Sequence, residues 1–241
     1  MLPARGMTPD LHIGYRFDLP DGSKKQLDLS FDAASFRLSN LGPADPPFWT
    51  ELKFSQCANC PLSPEQHTHC PSALHMAPAV ESLKELVSFD AVGVTVSQAE
   101  RTVHAETTAQ QALSSVLGLI MATSGCPWTD RLRPMARFHL AFASEAETVY
   151  RSVCMFLLAR ELVGAGDSHG FASLEDLYEN LHVVNRDMSR RLGAATRTDP
   201  ARNAMALLDS YTTLLPAAIE TSLEELKPLF EAWRGPENSS I

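Results

Sequence analysis

Hydrophobic and polar residues alternate in two stretches near the N-terminus of the chain. The hydrophobic positions of these stretches are Ile13, Tyr15, Phe17, Leu27, Leu29 and Phe31. Alternation is typical of β-strands with one buried face, because successive side chains of a strand point to opposite sides. The intervening segment PDG, at residues 20–22, is typical of a turn. The two stretches are therefore predicted to form a β-hairpin.

A second alternation starts at Val92 and resumes at Val103 after a polar segment. This pattern predicts another hairpin, with hydrophobic positions on one face of each strand. The two hairpins together predict a small antiparallel sheet of about four strands.

From Thr108 onwards, hydrophobic positions recur with the period of a helix. Pro216 is predicted to interrupt the last of these helices, and Pro228 to bend the segment after it. Capping residues predict four helix starts, which are Thr108, Ser144, Ser173 and Asp199.

The order of these elements predicts an α+β fold, in which a small N-terminal antiparallel sheet packs on a larger C-terminal helical bundle. Residues 1–107 are expected to hold the sheet and a cysteine-rich loop at 57–71, and residues 108–235 the bundle. The two parts are expected to form one integrated domain. Residues 236–241 are expected to be a disordered tail.

Composition and charge indicate a globular protein without an affinity for phosphate backbones. The chain has 241 residues, of which 44% are hydrophobic, and a net charge of -9. This charge argues against nucleic acid and anionic membranes as partners.

The N-terminus does not resemble a secretory signal, and the longest apolar run, Val116–Ala122, is far shorter than the ~20 residues that a bilayer span needs. We therefore expect a soluble, cytoplasmic protein.

Cysteine is concentrated in the segment QCANCPLSPEQHTHCPSA, residues 56–73, and returns in SGCPWTD at residues 124–130. Cys60, Cys70 and Cys126 are each followed by proline, which holds a cysteine in an extended, rigid segment. An odd number of cysteines without an export signal favours reduced thiols or metal ligands over disulfides. The five cysteines are Cys57, Cys60, Cys70, Cys126 and Cys154.

The pattern leaves several chemistries open. The Cys-Pro pairs modestly favour an iron–sulfur cluster, whereas His67 or His69 with the three nearby cysteines would form a local zinc site. A redox dithiol at Cys57 and Cys60 is disfavoured, because prolines follow the pair and no βαβ pattern surrounds it. Buried, inert thiols are the remaining alternative, and Cys154 is expected to lie in the core.

Charged residues cluster directly after Cys126, in the segment DRLRPMARFH at residues 130–139. Arg133 and Arg137 are four residues apart and would share one helical face, where they could bind an anion or a carboxylate. The alternative is that acidic neighbours pair with both arginines and that His139 is a hydrogen-bonded core residue. No common catalytic motif is present, so the sequence does not decide whether the protein is an enzyme.

The segments CANCPL, HCPSA and SGCPWTDRLRPMARFHLAFAS resemble the hallmark motifs of a bacterial domain family of unknown function. The resemblance extends from about Trp49 to Arg160. It implies that Cys57, Cys60, Cys70 and Cys126 belong to one four-cysteine set. His67 and His69 are not part of the family pattern, which weakens the local zinc alternative.

These observations lead to the hypothesis of a bacterial metal-binding protein whose four cysteines hold an iron–sulfur cluster or, alternatively, a zinc ion. An iron–sulfur centre would indicate a redox or sensor role or electron transfer, with a protein partner. Arg133, Arg137 and His139 would then lie beside the metal or contact the partner. A zinc ion would be structural, in an enzyme or interaction protein whose pocket adjoins residues 130–139.

Overall fold

The computed structural model describes residues 11–39, 42–164, 170–195 and 199–233. The strands are β1 (Leu11–Asp18), β2 (Lys24–Phe31), β3 (Ala91–Ser97) and β4 (Thr102–Thr108). The α-helices are α1 (Pro71–Ser82), α2 (Ala109–Thr123), α3 (Arg133–Arg137), α4 (Glu145–Val163), α5 (Ala172–Ala195) and α6 (Pro200–Leu226). Short 3-10 helices cover Phe48–Thr50, Thr129–Leu132 and Lys227–Trp233.

The sheet has four antiparallel strands in the order β2-β1-β3-β4. The predicted hydrophobic positions of β1, β2 and β3 are buried and form one face. The sheet lies in the N-terminal part of the chain and most helices follow it, so the predicted α+β fold is confirmed. One core cluster contains residues from the sheet and from α1, α2, α5 and α6.

Helix α1 was not expected from the sequence. Cys70 is its N-cap and Pro71 its first residue, a position where proline is favoured because its missing N–H group would be unpaired in any case. The predicted interruption at Pro216 is wrong, because α6 continues through this residue. The helical segment that was predicted to bend at Pro228 is a 3-10 helix, Lys227–Trp233.

Helix α4 begins where the sequence predicted. Ser144 Oγ accepts a hydrogen bond from Glu147 N (3.3 Å), and Ser144 N donates to Glu147 Oε2 (2.7 Å), which forms a complete capping box. Gly164 ends the helix in the left-handed conformation, with φ of 65°. Helix α4 is therefore fixed at both ends.

Two sequence-based expectations remain untested. The division at residue 107 stays a prediction, and the expected tail at 236–241 lies outside the described residues. Among the helices of the described ranges, none combines the length and apolar character needed to cross a bilayer.

Candidate functional site

A fully buried arginine of α5 holds the segment that carries the first three cysteines. Arg191 Nη1 donates to the carbonyl oxygens of Trp49 (2.6 Å) and Glu51 (2.7 Å). Its Nη2 donates to those of Leu52 and Ser55, both at 3.2 Å. We call residues 51–70 the cysteine loop. Arg191 supplies donors to backbone carbonyls that irregular structure leaves without helix or sheet partners.

Neighbouring positions of α5 hold the middle of the cysteine loop. The buried carboxylate of Asp187 accepts a hydrogen bond from Ala58 N (2.7 Å), and Asn59 Nδ2 donates to Asn180 O (3.1 Å). Trp128 Nε1 donates to Asn59 O (2.8 Å) from the opposite side. The loop is therefore fixed between α5 and the segment after α2.

The four cysteines of the predicted set line one small cavity of about 20 Å³. Cys60 N donates to Cys57 O (3.0 Å) in a tight turn, Cys70 caps α1, and Cys126 follows Gly125, whose φ is 90°. The thiols share this cavity with hydrophobic side chains of the core. Those neighbours are Pro61, Leu62, Pro71, Trp128, Val184 and Met188.

Burial keeps two of these thiols protonated. It raises the pKa of Cys57 to about 12, and nearby Cys70 and Asp187 add to this rise. Burial also raises the pKa of Cys70. Because the thiolate is both the nucleophile and the metal ligand, a raised pKa makes these two cysteines less available for either role at neutral pH.

The predicted metal-binding function is wrong. Among the residues that the structure describes, no group of three or more His, Cys, Asp or Glu side chains is arranged to hold a metal ion. The physical reason is that the four cysteines line a small cavity among hydrophobic side chains, where burial raises the pKa of the Cys57 and Cys70 thiols. His67 is exposed, and His69 Nδ1 lies 2.8 Å from Thr50 Oγ1. The iron–sulfur cluster or zinc ion stays a prediction from the sequence.

The fifth cysteine also differs from expectation. Cys154 was expected in the core, but it is exposed. Its neighbours Val153 and Phe156 are buried, so the apolar stripe of α4 passes beside Cys154 and does not include it. All five cysteines are free thiols.

The arginines of the 130–139 segment have partners within the protein. Arg133 Nη1 lies 3.2 Å from Asp130 Oδ1, and Arg37 Nη2 lies 3.2 Å from Asp130 Oδ2. The guanidinium of Arg137 lies over the rings of Phe36 and Phe138, at 5.5 and 5.4 Å from their centroids. Neither Arg133 nor Arg137 lines a described cavity.

A second and much larger cavity, of about 510 Å³, lies between α2 and the helices that follow it. Helix α2 forms one wall, and β4, α3, α4, α5 and α6 contribute the others. A Cβ at Gly118 of α2 would lie 3.3 Å from Leu208 of α6, so this glycine allows the two helices to approach closely beside the cavity. Hydrophobic lining residues include Leu119, Leu132, Met135, Leu181 and Leu207.

His139 is the sequence-predicted residue that does line this cavity. Its Nε2 lies 2.6 Å from the Tyr15 hydroxyl, which lies 2.9 Å from Ser115 Oγ. Gln98 Nε2 donates to the backbone carbonyl of His139 (3.0 Å). Burial and, secondarily, the charge of Arg151 lower the pKa of His139 to about 4, so the imidazole is neutral at pH 7.

Two further polar side chains of the cavity were missed by sequence reasoning. Arg151 Nη2 donates to the carbonyl oxygens of Met135 (2.8 Å) and Phe138 (2.9 Å). Tyr178 is hydrogen-bonded to buried Ser152, and burial raises the pKa of Tyr178 to about 12. The sequence does hint at the pair of Ser152 and Tyr178, because serine and tyrosine at buried helical positions need hydrogen-bond partners.

These features define an α+β protein with a small buried thiol cavity and a larger cavity lined by hydrophobic and a few polar side chains. The chain belongs to the family described as Domain of unknown function (DUF6901), whose model matches residues 13–231. The expected resemblance to a family without an assigned activity is thereby confirmed, although the match does not test the cysteine motifs. Comparisons with curated proteins and with solved structures give no match. The expected protein partner, the exclusion of nucleic acid and the cytoplasmic location stay predictions.

Proposed function

We propose that this protein binds a small, largely hydrophobic organic molecule in the cavity between α2 and α6. The observation that carries the proposal is the cavity itself. Its volume of about 510 Å³ lies within the roughly 300–1,000 Å³ that is usual for small-molecule sites.

The chemistry of the cavity walls supports the same proposal. Leucine and methionine side chains from several helices offer a surface from which a hydrophobic ligand excludes water. His139, Arg151 and Tyr178 also line the cavity and can orient a polar group of that ligand. A mainly apolar pocket with a few placed polar groups is the usual composition of a ligand site.

A tryptophan that fills the cavity tests the proposal. Ala143 is half-buried on the cavity wall, whereas Ala146 is exposed on α4 and does not line the cavity. We expect the neutral fluorescent probe N-phenylnaphthylamine to bind the native protein with one-to-one stoichiometry. Ala143→Trp should weaken this binding by about tenfold or more, because its indole occupies the probe's space.

Ala146→Trp is the matched control and should leave probe binding unchanged. Thermal unfolding of both variants checks that each is folded at the temperature of the titration. Equal binding by the two variants would place the probe elsewhere, and absence of binding to the native protein would contradict the proposed function.

A further inference from the structure

Arg151 is a half-buried cation on the wall of a mainly hydrophobic cavity. Of the described lining residues, it alone carries a permanent positive charge. The acidic residue of the lining, Glu106, is exposed and lies 3.1 Å from His104 Nε2. The electrostatics of the enclosed part of the cavity are therefore set by one arginine.

The hydrogen bonds of Arg151 leave part of its guanidinium available. Both bonds to the carbonyls of Met135 and Phe138 come from Nη2. Among the described residues, neither Nε nor Nη1 of Arg151 makes a hydrogen bond or an ion pair. An arginine fork presents N–H groups in a planar geometry that matches a carboxylate.

Neutral hydrogen-bonding groups accompany this cation. After burial, the charge of Arg151 is the second cause of the lowered pKa of His139, and it partly offsets the burial that raises the pKa of Tyr178, so these groups lie near its guanidinium. Both side chains are uncharged at pH 7, because burial disfavours their charged forms. Glu147, four residues before Arg151 on α4, acts on Arg151 electrostatically, but its carboxylate accepts the hydrogen bond from Ser144 N (2.7 Å). Among the described residues, no carboxylate forms a direct ion pair with Arg151.

We propose that the ligand is an amphiphilic monocarboxylic acid whose carboxylate pairs with Arg151 while its hydrocarbon body fills the rest of the cavity. This inference rests on the proposed function and specifies its ligand class. A half-buried cation that no described carboxylate contacts directly gains from a carboxylate that the ligand supplies, since an ion pair is stronger in a poorly hydrated site than in water.

A singly charged ligand fits better than a phosphate or a dicarboxylate. One arginine balances one negative charge, and the cations of the adjacent segment, Arg133 and Arg137, interact with Asp130 and with aromatic rings instead. The chain's net charge of -9 also repels ligands with several negative charges. The hydrophobic walls favour an alkyl or aryl body.

Calorimetric titration with matched ligands tests this inference. The probes are decanoate and its neutral amide decanamide, with naphthoate and naphthamide as a rigid aromatic pair. We expect the native protein to bind the carboxylate of at least one pair about tenfold more tightly than its amide, because only the carboxylate forms a charge-assisted bidentate contact.

Three variants locate the source of the preference. Arg151→Gln should abolish the preference for the carboxylate while the amide still binds, which also shows that the cavity persists. Arg151→Lys should keep part of the preference, because it keeps the charge but not the fork. Arg137→Gln removes a cation of the neighbouring segment that does not line the cavity, and it should leave the preference unchanged.

The outcomes separate this inference from the proposed function. Equal affinity of the native protein for the carboxylates and the amides would overturn the carboxylate assignment and leave a neutral-ligand site. A preference that survives Arg151→Gln, or that Arg137→Gln abolishes, would overturn the role of Arg151. Failure of all four probes and of N-phenylnaphthylamine to bind would overturn both proposals.

Discussion

Two connecting segments of this protein are each held by one arginine, and the two arginines differ in how many backbone carbonyls they bind. Arg191 is fully buried and donates to four backbone carbonyls around the start of the cysteine loop. Arg151 is half-buried and donates to two carbonyls of the α3 segment, which we define as residues 132–143. The cavities beside them measure about 20 and 510 Å³.

The difference separates a structural role from a binding role. Both terminal nitrogens of Arg191 bond to the chain next to a cavity too small for an organic ligand. Arg151 has donors left, next to a cavity of ligand size. The same residue type and the same kind of backbone contact therefore serve folding in one place and, we propose, recognition in the other.

The largest expected effect on stability comes from replacing Arg191. Arg191→Met should lower the free energy of unfolding by about 3–5 kcal/mol, because it removes the arginine donors from the buried carbonyls of Trp49 and Leu52. Urea unfolding followed by circular dichroism measures the change. Arg101→Gln, on the surface, is the charge control and should change stability by less than about 0.5 kcal/mol.

A small effect of Arg191→Met, below about 1 kcal/mol, would contradict a structural role for this arginine. A loop that reorganises or admits water after the substitution would account for such a result. The comparison between the two arginines would then lose its basis.

Thiol labelling compares the buried cavity with the protein surface. The pKa of Cys57 is raised from 9.0 to about 12 by burial, which lowers its thiolate fraction about a thousandfold at neutral pH. Iodoacetamide should therefore alkylate exposed Cys154 at least a hundredfold faster than Cys57, as measured by peptide mass spectrometry. Protein unfolded in urea is the control, in which both cysteines should react at similar rates. Equal rates in the folded protein would mean that the cysteine loop opens readily.

His139, on the wall of the large cavity, should make the stability of the protein depend on pH. Burial lowers the pKa of His139 from 6.5 to about 4 in the folded protein. Between these values the unfolded chain binds a proton that the folded protein does not, so the free energy of unfolding falls as the pH decreases. This contribution amounts to about 3 kcal/mol.

His139→Gln removes this contribution, so the difference in stability between native protein and variant should shrink from pH 7 to pH 4. Urea unfolding at a series of pH values measures it. His104→Gln, at an exposed position, is the control. Its difference in stability from the native protein should change less between pH 7 and pH 4 than that of His139→Gln. A constant difference for His139→Gln would show that the folded protein protonates His139 as easily as the unfolded chain does.

Much of the fold follows from sequence patterns because each pattern reports one buried face. The alternation in β1 and β2 predicts which side of the sheet is buried, and the capping box at Ser144 predicts where α4 begins. Helix α1 was missed because Pro71 was interpreted only as a loop residue, although proline is also favoured in the first turn of a helix. Helix α6 passes Pro216, where tertiary packing outweighs local propensity.

The site was harder to predict because long-range contacts create it. The four cysteines that the resemblance grouped line one small cavity, but motif spacing does not reveal that they pack among hydrophobic side chains. The large cavity is lined by residues from β4 and from five helices, so no single sequence pattern describes it. Arg191 gives a faint signal, since it is a charged residue on the stripe of α5 that also contains buried Met188 and Leu192.

The smallest expected effect concerns the capping box that follows the α3 segment. Ser144→Ala removes the side-chain acceptor of Glu147 N and should lower the free energy of unfolding by about 1 kcal/mol. Ser173 was predicted to be a cap but lies inside α5, where Phe171 O accepts the first hydrogen bonds of the helix. Ser173→Ala is therefore the matched control, with an expected change below about 0.5 kcal/mol.

Hydrogen exchange locates the effect of Ser144→Ala. In this variant, the amides of the first turn of α4 should exchange faster than in the native protein, while those of the sheet stay protected. The reason is that the cap acts only on the N-terminal end of α4, which directly follows the α3 segment. Equal losses of stability in the two serine variants would mean that the hydroxyl groups act through general helix propensity. In that case the α3 segment would depend on Arg151 rather than on the capping box for its position beside the cavity.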